Sequence, residues 1–278
     1  MALVCLVTIT LRGGQEFGSN LFNNVKVAYD ASAETKAWTY SPLKYWPTDG
    51  HVDFLAYAPR VDNRQLKGSS IDFTVESDAA NQKDLLWANA TSQTKANKTV
   101  TFNFKHALAK IGYKVQLNGD YTGTTIKLNK ITLAGSNDGK GTNKAFYKTG
   151  TIDLSYTSTT SSTTKLWTPS EEKQDFEWFS GDKQLSKTPA VENPTTKYLF
   201  VIPQNFKTVT DQLYVIVEYT ITYSDNTTVK TKVCKQLKKE FLQGKAYTIN
   251  LTIGLTPIEF NATVDSWGDI EDYPITLE

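Results

Sequence analysis

The sequence predicts an all-β protein built as two β-sandwich domains, and three observations carry that prediction. Segments with apolar residues at every second position recur along the 278-residue chain. The composition suits strands with polar faces: fourteen Tyr, thirteen Phe and one Met, with abundant Thr, Ser and Asn. Helical signal is confined to "HALAKI" (His106–Ile111), which lies between strand-like runs and is expected to be extended.

The first element is "LVCLVTITLR". Leu3, Cys5, Val7, Ile9 and Leu11 fall on one face at period two, and Val4, Leu6, Thr8 and Thr10 on the other. Arg12 followed by Gly13 and Gly14 ends it abruptly. A truncated export signal is the competing reading of this stretch. No Lys or Arg precedes Cys5, however, and Ala2-Leu3-Val4 is a poor match to the small residues before a lipid-modified cysteine. The strand is favoured.

Next come "VKVAYD" (Val25–Asp30) and "HVDFLAYAP" (His51–Pro59), the latter stopped by its proline. "IDFTVE" (Ile71–Glu76), "TVTFNF" (Thr99–Phe104) and "KHALAKIGYKVQL" (Lys105–Leu117) follow. "TIKLNKITLAG" (Thr125–Gly135), "GTIDLSY" (Gly150–Tyr156) and "KYLFVIPQ" (Lys197–Gln204) continue the series. "LYVIVEYTITYSDNTTVKTKV" (Leu213–Val233) reads as a hairpin turning at Ser224-Asp225-Asn226. "KAYTINLTIGL" and "IEFNATVDSW", separated by Thr256-Pro257, close it. About a dozen strands exceed one ordinary sandwich. The chain is therefore divided into residues 1–99 and 100–278, with the polar "KANKTVTF" as hinge.

Thirty basic against twenty-nine acidic residues leave a net charge of +1, which argues against nucleic acid or an anionic membrane as partner. The short basic run Lys232–Lys239 reads as a solvated strand face. Cys5 and Cys234 form neither a C-x-x-C pair nor a disulfide framework. With only His51 and His106, a histidine-based metal cluster is disfavoured, and His106 reads as a hydrogen-bonded structural residue. "SNDGKGTN" (Ser136–Asn143) lacks the spacing and terminal Glu of a calcium loop. Nucleophile elbows, phosphate loops and zinc-protease motifs are missing from the sequence. Glu171/Glu172 and Asp269/Glu271/Asp272 read as exposed carboxylates rather than a glycosidase pair. Neither catalysis nor a cofactor is expected. Trp38, Trp46 and Trp87 form the best ligand reading, a platform on which a glycan stacks, against which stands plain core packing.

Four stretches in order resemble the Bacteroidales fimbrillin family, the subunits of type V pili: "WTYSPLKYWPTDGHVDFLAYAPR" (Trp38–Arg60), "FNFKHALAKIGYKVQL" (Phe102–Leu117), "KYLFVIPQNF" (Lys197–Phe206) and "GKAYTINLTIGLTPIEFNATVDSW" (Gly244–Trp267). The resemblance implies two transthyretin-like sandwiches, export as a lipoprotein precursor, and display on the outer-membrane surface in a fimbrium with other pilus subunits. It further implies that the first strand is removed after an arginine and replaced by a strand from a neighbouring subunit. On that analogy Val7, Ile9 and Leu11 belong to the removable strand and Arg12 is the processing position. Tyr273, Ile275 and Leu277 alternate as a donor strand would. The first strand is expected at a sheet edge; outside any sheet, or locked centrally between two partners where it cannot leave, it would collapse the assembly account. The alternative is a non-polymerising module that binds host glycan or protein through Trp38 and Trp46.

Overall fold

A computed structural model describes residues 3–12, 15–16, 21–32, 37–62, 64, 66–97, 99–157, 166–188, 190–194, 197–254, 259–266 and 275–276. Among them are twenty-five strands and no α-helix, so the all-β expectation holds. The strands begin with β1 (Leu3–Arg12), β2 (Gln15–Glu16), β3 (Val25–Asp30), β4 (Ala37–Tyr40) and β5 (His51–Ala58). Next are β6 (Leu66–Lys67), β7 (Ser70–Thr74), β8 (Leu86–Gln93), β9 (Lys105–His106) and β10 (Ala109–Leu117). The middle of the chain gives β11 (Thr124–Ala134), β12 (Phe146–Tyr147), β13 (Thr149–Asp153), β14 (Trp167–Pro169) and β15 (Lys173–Gln174). Then follow β16 (Phe176–Gln184), β17 (Val191–Glu192), β18 (Leu199–Val201), β19 (Gln204–Asn205) and β20 (Tyr214–Tyr223). The last are β21 (Thr228–Gln236), β22 (Glu240–Phe241), β23 (Lys245–Ile253), β24 (Glu259–Ser266) and β25 (Ile275–Thr276).

The chain divides into two compact units that share the sequence in alternating segments. Unit 1 takes Met1–Phe73, Lys83–Ala107 and Gly150–Thr168; unit 2 takes Thr74–Gln82, Leu108–Thr149 and Pro169–Glu278. Residue 99 lies inside the second segment of unit 1.

In unit 1 the main sheet runs β4-β3-β1-β5-β8-β9, with β2 on β1, and a second sheet runs β14-β13-β7-β6. β5 is buried on both faces, because a layer covers each. Leu55 and Tyr57 alternate with Phe54, Ala56 and Ala58. Between the two sheets, the Asn89 amide donates to the carbonyls of Leu154 (2.9 Å) and Tyr156 (2.7 Å). The Trp167 indole N–H donates to the Ala107 carbonyl at 2.7 Å. On the other face, Phe22, Val52, Phe54, Ala56 and Ala58 form a cluster. Trp46, Val100, Phe102 and Phe104 pack against it.

Unit 2 holds one sheet ordered β17-β10-β23-β24-β25, with β18 also on β10, and another ordered β16-β11-β20-β21. Tyr113 of the first meets Trp178 of the second edge to face, 4.8 Å between centroids. The β20–β21 hairpin turns where expected: Thr222 pairs with Thr228, and Asn226 takes φ 65°. One expected strand is not in a sheet. Thr99–Phe104 begins at a bend and forms no strand, and no pairing of these residues with described residues is present. Its alternation is spent on packing, with Val100, Phe102 and Phe104 half-buried and Thr99, Thr101 and Asn103 exposed.

Candidate functional site

β1 carries four of the predicted site residues, Val7, Ile9, Leu11 and Arg12, and its pairing corrects one expectation. Cys5–Leu11 pair antiparallel with His51–Tyr57 of β5, in the register Val7↔Leu55, Ile9↔Asp53, Leu11↔His51. Leu3–Leu6 pair on the opposite side with Val25–Ala28 of β3. β1 is thus an interior strand between β3 and β5, not an edge strand. Leu3-Val4-Cys5-Leu6-Val7 is apolar at successive positions, a pattern that bears on which faces are covered and not on which strands lie alongside. The pairing is also uneven. Val7–Thr10 pair with β5 alone among the described strands, and β2 joins only at Leu11 and Arg12.

Geometry fixes what departure of β1 would do. It would part β4–β3 from β5–β8–β9 and open a gap of two inter-strand spacings, roughly 10 Å, room for one strand. Both rims of that gap, Val25–Ala28 and His51–Tyr57, would present unpaired backbone groups.

Arg12 ends β1 and is one of three arginines in the chain. The other two are engaged. Arg60 donates from Nε to the Asn24 carbonyl at 3.3 Å and pairs with Asp62. The Arg64 guanidinium stands over the Tyr57 ring, 5.1 Å from its centroid. At the far end of the chain, Ile275 lies in the two-residue strand β25, in the register Ala262↔Ile275 and Asn261↔Thr276 on β24. Tyr273 and Leu277 lie outside the described residues.

Trp38 and Trp46 come together on unit 1, while Trp87 does not join them. Trp87 is buried and packs on Tyr156 at 5.9 Å. Trp38 is 51% exposed and leans on Tyr29 (5.4 Å); Trp46 meets Phe54 edge to face at 5.6 Å. Both line a cavity of about 700 Å³ with Phe22, Tyr40, Tyr45 and the segment Thr99–Phe102. Lys44 is the one charged residue among the described residues lining it. Sequence reasoning missed the contribution of Phe102 and Phe104, because their alternation read as an ordinary strand.

The other candidates have structural partners. His106 Nδ1 lies 2.5 Å from Asp84 Oδ2. Glu172 pairs with Lys148 at 2.5 Å. Asp138 accepts from the Ser136 hydroxyl (2.8 Å) and the amides of Lys140 (2.9 Å) and Gly141 (3.2 Å), which hold its carboxyl below the usual carboxylate range. The thiol of Cys234, an exposed residue, is pushed up by partial desolvation, against the pull of Lys232.

The profile of the fimbrillin-like family matches residues 5–267. A solved structure described as a proposed cell adhesion protein from Bacteroides uniformis ATCC 8492 is similar at 19% identity and TM-score 0.55, covering 95% of this chain and 91% of that one. A proposed cell adhesion protein from Bacteroides ovatus ATCC 8483 is similar at 15% identity and TM-score 0.49, covering 97% and 88%. A fimbrial assembly protein from Parabacteroides distasonis ATCC 8503 gives 14% identity and TM-score 0.47, covering 98% and 90%. Among curated proteins, none matches the chain. With the family profile spanning nearly the whole sequence and the B. uniformis structure sharing the fold, the chain belongs to the fimbrillin-like family.

Proposed function

We propose that this protein is a structural or accessory subunit of a cell-surface pilus, assembled by proteolysis-gated strand exchange and supporting adhesion. It is exported as a lipoprotein precursor to the outer membrane, and its partners are other pilus subunits. The observation that carries this reading is the place of β1 in a member of the fimbrillin-like family. A ten-residue strand ending in Arg12 lies between two strands that face an open slot once it leaves.

Cleavage after Arg12 severs the ten-residue β1 from the rest of the chain and leaves it held by non-covalent ladders alone. An extended segment from a neighbouring subunit then restores the backbone pairing and covers the apolar trench, a known form of strand addition. The tail with Tyr273, Ile275 and Leu277 is that segment. Its period-two pattern fixes register, since a one-residue slip sends Ile275 and Leu277 to the wrong face. The interior place of β1 raises the barrier to exit, because both ladders must break. The same two rims slow the escape of the strand that replaces it, so the joint persists kinetically. Catalysis has no part in this reading.

The test is treatment with an Arg-specific protease. Loss of residues 1–12 and ladders of multimers on a gel are expected, with an Arg12→Ala chain staying monomeric. Multimers formed equally by Arg12→Ala would contradict the proposal.

A second reading, a non-polymerising module that holds glycan or protein, is favoured by the exposed Trp38 beside the cavity. Saturable binding of a host glycan, lost in Trp46→Ala, would promote it.

A further inference from the structure

Unit 1 carries an aromatic hollow that strand exchange does not use. Alternation puts Trp38 and Tyr40 on the same face of β4, and the register Val27↔Tyr40 sets Val27 of β3 beside them. All three line the cavity of about 700 Å³, a size that suits a small molecule. Its floor is a chain of packed rings centred on Phe54. Between centroids, Phe22 lies 6.0 Å from Phe54, Trp46 5.6 Å and Phe102 6.4 Å, and Tyr40 meets Phe22 at 5.0 Å. Rings that already pack on one another need little further ordering when a ligand arrives.

We propose that this cavity binds a small amphiphile, an apolar body carrying one anionic head, with the body among Phe22, Trp46, Phe54 and Phe102 and the head at Lys44. The site stands apart from strand exchange and serves whether or not the chain polymerises. Charge chooses the head. Lys44 is exposed, lines the cavity, and is the charged residue of the described wall. A carboxylate placed there gains an ion pair in partial solvent while its chain leaves water. Tyr45, 81% exposed, and the half-exposed Trp38 line the same cavity. Large apolar surface of this kind, kept in water beside a hollow, is what a ligand covers.

The chemistry of the wall separates this ligand from a glycan. A sugar brings a hydroxyl on nearly every carbon, and each one taken out of water needs a partner. The described floor offers rings and aliphatic carbon, with Leu21, Val27 and Val100 beside the aromatics. Polar side chains come from Lys44, Thr99, Thr101 and the two tyrosines, and of these only Tyr40 is not exposed. Polar contact is therefore concentrated at the rim and apolar contact at the floor. That division matches a ligand with one polar end.

The experiment is isothermal titration of the intact chain with dodecanoate and with dodecyltrimethylammonium, probes of equal chain length and opposite head charge, both below their micelle concentrations. Saturable binding of dodecanoate is expected, tighter than that of the cation. Lys44→Glu, an exposed change that leaves folding intact, weakens dodecanoate about two- to five-fold, the scale of one exposed ion pair, and strengthens the cation. Trp38→Ala combined with Tyr45→Ala weakens both probes. Absence of saturable dodecanoate binding would overturn the proposal. Equal binding of the two probes, unchanged by Lys44→Glu, would overturn the anionic head. Binding indifferent to all three substitutions would place the ligand elsewhere and sink the site. Displacement of dodecanoate by maltoheptaose would give the cavity to a glycan instead.

Discussion

Asp175 shows how single side chains hold the loops of unit 2. Its Oδ1 accepts from the amides of Gly135 (3.0 Å) and Ala145 (2.9 Å), while Oδ2 pairs with Lys144 at 3.0 Å. Asp175→Ala leaves two amides without an acceptor and is expected to cost on the order of 2–4 kcal/mol in urea unfolding. Gly135 sits in the same clamp. A Cβ there would meet the backbone at Asn143 O and Lys144 C, both at 2.6 Å, and backbone cannot swing aside. Tyr113 and Tyr247 set the alkaline limit. Burial pushes both phenols from 10.0 up to about 12. The folded state keeps protons that the unfolded state releases above pH 10. Stability is therefore whole below pH 10 and falls as pH rises through about 12. Tyr113→Phe should flatten that fall when unfolding midpoints at about pH 9 and about pH 11 are compared. At this scale the sequence was most informative about His106, whose alternating neighbours already marked it as a structural residue.

Elements were legible where local chemistry decides them. The β20–β21 turn is written in Ser224-Asp225-Asn226, where Asp225 accepts from the Thr227 amide and Asn226 takes the left-handed conformation. Asn226→Val puts a β-branched residue at φ 65° and should cost on the order of 1–2 kcal/mol, while Asn226→Gly should be nearly neutral. Pairing partners were not legible, because alternation states which face is apolar and says nothing of which strand lies alongside. The parallel pairing of β10 with β23, separated by more than a hundred residues, has no local signature. The same ignorance made Thr99–Phe104 look like a sheet strand and β1 look like an edge. For the tail, replacing Ile275 and Leu277 with Asp should leave monomer unfolding unchanged and abolish multimers on the gel after protease treatment.

At the scale of the whole molecule, the two units alternate along the sequence, whereas the polar stretch "KANKTVTF" suggested a single boundary at residue 99. The chain passes from one unit to the other at Phe73–Thr74, Gln82–Lys83, Ala107–Leu108, Thr149–Gly150 and Thr168–Pro169. Most of these crossings fall at strand ends rather than in polar linkers, so no shift of residue type marks them. The proposed function rests on one strand in that plan, β1, tied to β5 along seven residues and to β3 along four. Amide hydrogen exchange of His51–Tyr57 reads its fate directly. The β1-facing amides of β5 should be protected in the intact chain, lose protection in dilute monomer once residues 1–12 are cut away and released, and regain it in the assembled multimer. Multimers in which those amides stay protected throughout, with residues 1–12 still bound, would contradict the exchange of β1 for a neighbour's strand.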